Sequence, residues 1–510
     1  MTDKTDPTAP APDGQVYRNG VIAVVIAWSM RVIGLVSVFV LARTLTPADF
    51  GIVALAMTTL AMVDVFASIG LRQALLRVER PERSHYDTVW TIQLGILIVL
   101  ALVVTALAPV MAWFYAEPAL TLVVAVLSTR FVFFGLANIG IIDFERDLEL
   151  GRDLKFRLIV RLTTFVVTIA AALVLRNYWA LVIGAVMQGM VHCLASYAVH
   201  PYRPNFSTKR RAEMLGVSLW MFLASLAQVI HTESQRIVVG RIASMGVLGF
   251  YSVSKGLSSI FTEEIATALN RVTFVTTART RKDLGAEPAR LRAMLSTYAM
   301  IAAPLGIGLA ATAPYAVRVL LGEQWIEAAP FLALIAPAAA LYAVFKLIVS
   351  SLQASGKARL AAGFAIASAL GVLAAMLTAL GMGGGAIEIA GGVLVANGAA
   401  LLVALMVLAH AEKTSALGLL SSAARPFIAA GIMFASITAL TPPASPAILV
   451  LTGQAALGAA VYAIALGAIW LVSGRPDGAE ANAGTLVSKT ARQIWRGKGR
   501  AVVSAREGQN

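Results

Sequence analysis

Basic residues in this chain collect in every second gap between about fourteen long apolar runs. Runs of roughly 20 apolar residues are what an α-helix needs to cross a hydrocarbon core about 30 Å thick. Val21 to Val40, Trp90 to Ala108, Phe165 to Leu175 continuing through Trp179 to Val199, and Ile448 to Val472 are examples. With 13% charged residues and a mean hydropathy of +0.79, an ordinary soluble domain is excluded. The pattern predicts an all-α polytopic membrane protein of about fourteen transmembrane helices. The lone Cys193 excludes a disulfide framework. The polar, Pro-rich opening before a full-length run reads as no cleavable signal peptide.

Orientation follows from the gaps. The even ones carry Arg72, Arg77, Arg80 and Arg83, then Arg146, Arg152, Lys155 and Arg157, then Arg203, Lys209, Arg210 and Arg211. Further along come Arg279 to Arg292, then Lys357 and Arg359, then Lys413 and Arg425, and finally a basic tail with Lys489, Arg492, Arg496 and Lys498. The odd gaps hold little beyond Arg43, Arg176, Arg241 and Arg318. Lys and Arg stay cytoplasmic, so both termini are expected in the cytoplasm and the number of spans is expected to be even. The net charge of +14 is thereby a topology signal with contacts to anionic lipid, and it calls for no nucleic acid.

An internal repeat sets the expected organisation. LARTLTPADFGIVA (Leu41 to Ala54) is echoed by VGRIASMGVLGFYS (Val239 to Ser252), with Arg43 on Arg241, Thr46 on Ser244, Phe50 on Leu248 and Gly51 on Gly249. A weaker echo pairs Ala108-Pro109 with Ala313-Pro314. Six spans separate the copies, so they enter with the same polarity, as in transporters whose parallel repeats enclose a substrate cavity. The expected layout is a cytoplasmic segment (1–18), an N-lobe of helices 1–6 (19–200), an inter-lobe linker (201–214) and a C-lobe of helices 7–12 (215–410). Helices 13 and 14 (424–472) and a basic cytoplasmic tail (473–510) follow. The lobes would rock about the Pro201 to Arg211 link.

Charges inside the runs carry the functional information, because each costs about 2.5–3.5 kcal/mol at the bilayer centre on insertion scales. Arg31, Arg130, Arg236, Lys255 and Lys346 are candidate contacts for an anionic headgroup. Asp64, Glu233, Glu263 and Glu264 are candidate ion-coupling carboxylates, since a buried carboxyl can load and release a proton. Glu233 and Arg236 stand three apart on one helix face and can pair. Arg161 and Arg271 read as interfacial anchors that snorkel. A cavity biased toward Arg and Lys suits a large anion such as a lipid-linked sugar diphosphate, whose oxygens a guanidinium fork holds bidentately.

Four segments in order resemble one family. LARTLTPADFG (Leu41 to Gly51), IVVGRIASMGVLGFYSVSKGL (Ile237 to Leu257), VLLGEQWIEAAP (Val319 to Pro330) and LQASGKARL (Leu352 to Leu360) look like the Wzx-type polysaccharide and O-antigen flippases. These belong to the multidrug/oligosaccharidyl-lipid/polysaccharide superfamily, and the resemblance covers roughly residues 15 to 410. It implies a non-enzymatic, two-lobed inner-membrane transporter that flips undecaprenyl-diphosphate-linked saccharides by alternating access through a cation-lined cavity. The implied partners are the lipid-linked oligosaccharide, membrane lipids, and polysaccharide polymerase and export machinery. No cofactor is implied. The chain departs from the family at Gln235, where an acid is common, and at Val275, where Pro is common. Rivals are a MATE-type drug/cation antiporter, a lipid II flippase of the MurJ type, and a membrane-embedded polymerase or glycosyltransferase. The last would need a large outer loop or an acidic catalytic cluster. ATP-driven pumping lacks support because Gly356-Lys357 is followed by Ala358, which breaks the phosphate-loop pattern. Five scattered His and one Cys make no metal-ligand set.

Overall fold

The computed structural model describes residues 29–30, 32–67, 70–147, 149–214, 219–279, 287–411, 414–440 and 446–474, with backbone alone at 73, 150, 263–279, 287–290, 354 and 411. The segment expected at 1–18 and the basic tail beyond 474 lie outside these residues, as do Arg31 and the side chains of Glu263, Glu264, Arg271 and Val275.

The described chain is helical and contains no strand. Its helices are α1 (Val32–Thr44), α2 (Pro47–Ala67), α3 (Leu71–Arg77), α4 (Arg83–Tyr115), α5 (Ala119–Leu136) and α6 (Asp143–Arg146). Next come α7 (Leu150–Leu175), α8 (Trp179–Val199), α9 (Arg211–Met214), α10 (Leu219–Ile242), α11 (Met245–Arg279) and α12 (Glu287–Ala311). The last are α13 (Ala313–Leu320), α14 (Ala328–Ala354), α15 (Ala358–Gly381), α16 (Ala386–Ala411), α17 (Ala416–Ala439) and α18 (Ala447–Val472). Eleven of the described helices are long and apolar enough to cross a membrane, so the chain is a multi-pass membrane protein. The positions of the first, seventh and eighth runs are taken by α1, α10 and α11, the last two bearing polar and charged side chains.

The chain forms two compact units. The first comprises residues 1–253 with 320–325, the second 254–319 with 326–510. In the first unit α4 packs on α5, α5 on α8, α8 on α7, and α2 on both α5 and α10. Small residues allow the approach: Gly135 faces Leu94, Gly184 faces Thr168, Gly189 faces the Arg130 backbone and Gly240 faces Leu55. In the second unit α12 packs on α14 and α17, α16 on α14 and α15, and α18 on α17. Gly306 rests on the Ala336 carbonyl and Gly392 on that of Ala375.

One helix start differs from the sequence reading. Helix 13 was expected from about residue 424, with Arg425 in a basic gap. Instead α17 begins at Ala416, where Ser415 Oγ accepts from Gly418 N at 3.2 Å and Pro426 lies inside the helix. Arg425 is consequently buried, at 6% exposure, and its Nε donates to Ser421 O at 3.1 Å. A Ser cap satisfies the free N–H groups of the first turn, which a start at Pro426 would have left without a side-chain partner.

The motif LTPADFG is explained by its own geometry. Thr46 caps α2, Pro47 occupies the first helical position, and Asp49 Oδ2 accepts from Thr46 N (2.9 Å) and Oγ1 (2.7 Å). Asp49 Oδ1 also accepts from Tyr178 N at 2.9 Å, which ties this turn to the turn between α7 and α8. The two repeat copies meet reciprocally. A Cβ on Gly51 would fall 1.9 Å from Met245 O, and one on Gly249 would fall 1.8 Å from Pro47 O. Pro47 and Met245 are themselves matched by the repeat offset, so the contact has a local pseudo-twofold. Each repeat arginine lies over a phenylalanine ring, Arg43 over Phe39 at 3.6 Å. Arg43 donates to Leu320 O at 3.0 Å, and Arg241 stacks over the Phe114 ring at 5.4 Å. Trp325, fully buried, donates its Nε1–H to Ala42 O at 2.7 Å and meets Phe50 edge-on.

At the other end of the first unit, residues 200–214 are docked along the first turns of α4. The link expected to serve as a rocking joint is tied down on this side. Asp87, 7% exposed, accepts from Tyr202 Oη at 2.5 Å and from Asn205 N at 2.8 Å. Ser207 N donates to Thr91 Oγ1 and Arg210 N to Thr88 Oγ1, while Phe206 covers Trp90. Asn138 Nδ2 donates to Tyr202 O and His200 O. Burial and the Asp87 bond push the Tyr202 phenol well above its ordinary range. Arg210 pairs with Glu82 and Glu213 and holds both carboxyls below the usual 4.5. Carboxyls lowered in the folded state lend stability above their unfolded values and lose it as pH falls through the folded ones. Docking is therefore expected to persist at neutral pH and to loosen only in acid below the ordinary glutamate range.

Asp87→Ala leaves the Tyr202 hydroxyl buried without its acceptor and is expected to cost about 2 kcal/mol. Thermal unfolding in detergent and protease cleavage within 200–210 would report it, and unchanged cleavage would show that the other contacts suffice.

Candidate functional site

The first unit contains two adjoining cavities whose linings mix polar and apolar groups. One, of about 470 Å³, is lined by Asp64, Gln93, Arg130, Asn138, His192 and Arg72, with Phe131, Phe134 and Leu97 as apolar walls. The elements that place these groups are α2 for Asp64, α4 for Gln93, α5 for Arg130 and α8 for His192. The second cavity, of about 430 Å³, shares Arg72, Ile141 and His192 and extends between α7 and α8.

Arg130 is half-buried. Its Nη1 approaches Met57 Sδ at 3.6 Å and its guanidinium sits 5.5 Å from the Phe134 ring centroid. Asp64, from a neighbouring helix, is near enough for the two charges to attract. The chain thus places Arg130, in the middle of α5, and Asp64, in the last turn of α2, on the wall of one space that also carries amides and aromatics.

The other candidate residues are dispersed. Arg236 donates to Glu233 Oε2 at 2.7 Å, and Thr58 Oγ1 donates to the same oxygen at 2.9 Å. That triad joins α10 to α2 and has the character of a helix-packing contact. One atom stands out: Arg236 Nε is buried without a hydrogen-bond partner. Gln235, the departure from the family's acid, accepts from Tyr251 Oη at 2.5 Å and donates to His231 O at 2.8 Å, so the amide serves a buried network. Lys255 on α11 and Lys346 on α14 are half-buried in the second unit. Glu263 and Glu264 lie on α11 by backbone alone. Among the described residues no group of three His, Cys, Asp or Glu could hold a metal ion.

Several lining residues escaped the sequence reading. Gln93, Asn138, Gln188 and His192 are isolated polar residues within or beside apolar runs, and Arg161, expected as an interfacial anchor, lines the second cavity. A signal was present for part of the set. Arg157, Arg161, Thr164 and Thr168 follow one another at spacings of four, three and four, one face of α7, and Gln188 and His192 are four apart on α8.

The succinoglycan biosynthesis transport protein ExoT of Rhizobium meliloti is 25% identical over 450 residues, which is 84% of this chain and 88% of that one. The lipopolysaccharide biosynthesis protein WzxC of Escherichia coli is 24% identical over 335 residues, 64% of this chain and 67% of its own. Among solved structures, the lipid II flippase MurJ in an inward closed conformation superimposes with a TM-score of 0.74 at 14% identity, covering 89% of this chain and 100% of that one. An inward-facing MATE multidrug transporter of the MOP superfamily matches with a TM-score of 0.58 at 13% identity, over 78% of this chain and 99% of that one. These likenesses establish the fold as the one shared by MurJ and MATE proteins. A family profile described as polysaccharide biosynthesis protein matches residues 40–330, more than half of the sequence, and the chain belongs to that family.

Proposed function

We propose that this protein is a flippase that moves undecaprenyl-diphosphate-linked saccharide units across the bacterial inner membrane by alternating access, for surface polysaccharide assembly. The observation that carries the reading is Arg130 on the wall of a largely apolar cavity in the first unit, in a chain of the polysaccharide biosynthesis family. A diphosphate offers oxygens to the guanidinium fork, and the polyprenyl tail stays in lipid. Sugar hydroxyls would each lose several kcal/mol of hydration in hydrocarbon, about 4–8 kcal/mol on the cyclohexane scale, so unaided crossing is very slow. An inside-negative potential favours outward movement by about 2.3 kcal/mol per negative charge per 100 mV. Charge placement in the loops supports cytoplasmic termini and a cytoplasmic linker. Arg31, Arg236, Lys255 and Lys346 are proposed as further headgroup contacts, and Asp64, Glu233, Glu263 and Glu264 as coupling acids.

Deleting the protein from its own cell is expected to stop surface polymer and to accumulate lipid-linked saccharide on the cytoplasmic face. Uninterrupted export without accumulation would overturn the assignment. Asp64→Asn is expected to flatten the dependence of export on external pH, and an unchanged pH profile would remove Asp64 from coupling. The MATE-type reading shares the fold, and efflux of cationic drugs with unaltered polymer would favour it.

A further inference from the structure

The cavity between α7 and α8 has a chemistry different from its neighbour. Two of its arginines are already neutralised: Arg157 Nε donates to Asp153 Oδ2 at 2.8 Å, and Arg72 pairs with Glu145. What remains is the cation Arg161 and the neutral polar groups of Thr164, Thr168, Gln188 and His192, set against the apolar faces of Phe156, Val160 and Leu181. Two of the polar atoms, Thr164 Oγ1 and His192 Nδ1, are buried and have no hydrogen-bond partner. Buried polar atoms without partners are rare and costly, about 1–3 kcal/mol each, and both belong to residues that line this cavity. Its volume of about 430 Å³ is that of a small-molecule site.

We infer that this chamber receives the saccharide part of the headgroup, through hydrogen bonds from Thr164, Gln188 and His192, while the adjoining Arg130 cavity receives the diphosphate. The inference rests on the flippase reading and refines it. A sugar hydroxyl both donates and accepts, which matches a threonine hydroxyl, a side-chain amide that does both, and an imidazole nitrogen of either tautomer. The cavities are neighbours, with Arg72, Ile141 and His192 common to both linings, which would let one headgroup present a different part to each.

The chain's only cysteine, Cys193, makes a direct test practicable. In a Cys193→Ser background, Gln188→Cys probes the saccharide chamber and Gln93→Cys the diphosphate cavity, each by maleimide labelling of the purified protein. The probes are undecaprenyl diphosphate and the lipid-linked saccharide extracted from the deletion strain. Gln93→Cys is expected to be protected by both. Gln188→Cys is expected to be protected by the saccharide lipid alone. Protection of Gln188→Cys by both lipids, or by neither while Gln93→Cys is protected, overturns the inference. No protection at Gln93→Cys by either lipid overturns the flippase reading instead. Thr164→Cys serves as a second chamber probe should Gln188→Cys fail to insert. Gln188→Leu is expected to lower polymer export about tenfold, with undecaprenyl diphosphate still protecting Gln93→Cys in that variant. Wild-type export by Gln188→Leu and Thr164→Val together would count against the chamber.

Discussion

Gly51→Ala is expected to lower stability by about 3 kcal/mol, at the upper end of ordinary overpacking. The obstacle is backbone: the added methyl would fall 1.9 Å from Met245 O, and no rotamer change removes a carbonyl. The starts of α2 and α11 would have to part, dragging with them the Arg43 bond to Leu320 O. Gly249→Ala should do the same from the other side, since its methyl would fall 1.8 Å from Pro47 O. Because the two substitutions force apart one contact, the double variant should cost much less than the sum of the singles. Gly371→Ala, with nothing within 4 Å of its added methyl, is the control and should cost nothing. Thermal unfolding in detergent and the amount of protein in the membrane are the measurements. Singles as stable as Gly371→Ala would mean that the contact is looser than the geometry states.

Arg130→Ala is expected to reduce polymer export by about 10- to 100-fold, the equivalent of one charge-assisted hydrogen bond of about 1.5–3 kcal/mol. The protein should still insert, because removing a charge from mid-helix depth lowers the cost of burial. Arg130→Lys should retain part of the activity, since a point charge replaces the fork. Asp64 would be left without its opposing charge in Arg130→Ala, so the double variant Arg130→Ala/Asp64→Asn separates loss of the headgroup contact from an unbalanced acid. Restored export in the double variant would assign the defect to charge balance. Undiminished export by Arg130→Ala, with membrane levels held equal, would remove Arg130 from the transport path.

Different kinds of information separate what the sequence showed from what it did not. The Glu233–Arg236 bond was readable because partners three apart on a helix are fixed by helical geometry alone. The match of Gly51 with Gly249 was readable as a repeat, although the reason for glycine there, a carbonyl from the other copy, was not. Asp64 and Arg130 were each singled out as a charge in an apolar run, but their proximity depends on how α2 packs against α5. The docking of 200–214 was invisible, because a polar, Pro-containing stretch is the same string whether free or bound to α4. The α7 stripe was legible in principle. Arg161 at a helix end reads equally as a snorkelling anchor until a neighbouring helix encloses it.

The order of apolar runs and the alternation of basic gaps determined that this chain is a bundle of membrane-spanning helices, since both effects act on each segment separately through transfer of side chains and backbone from water to lipid. Family membership was likewise carried by local strings such as LTPADFG, whose capping bonds close within four residues. Which charges share a cavity, which are spent on one another and which polar atoms still lack a partner were decided only by helix packing. Those relations join residues tens of positions apart, and no local propensity encodes the distance between them.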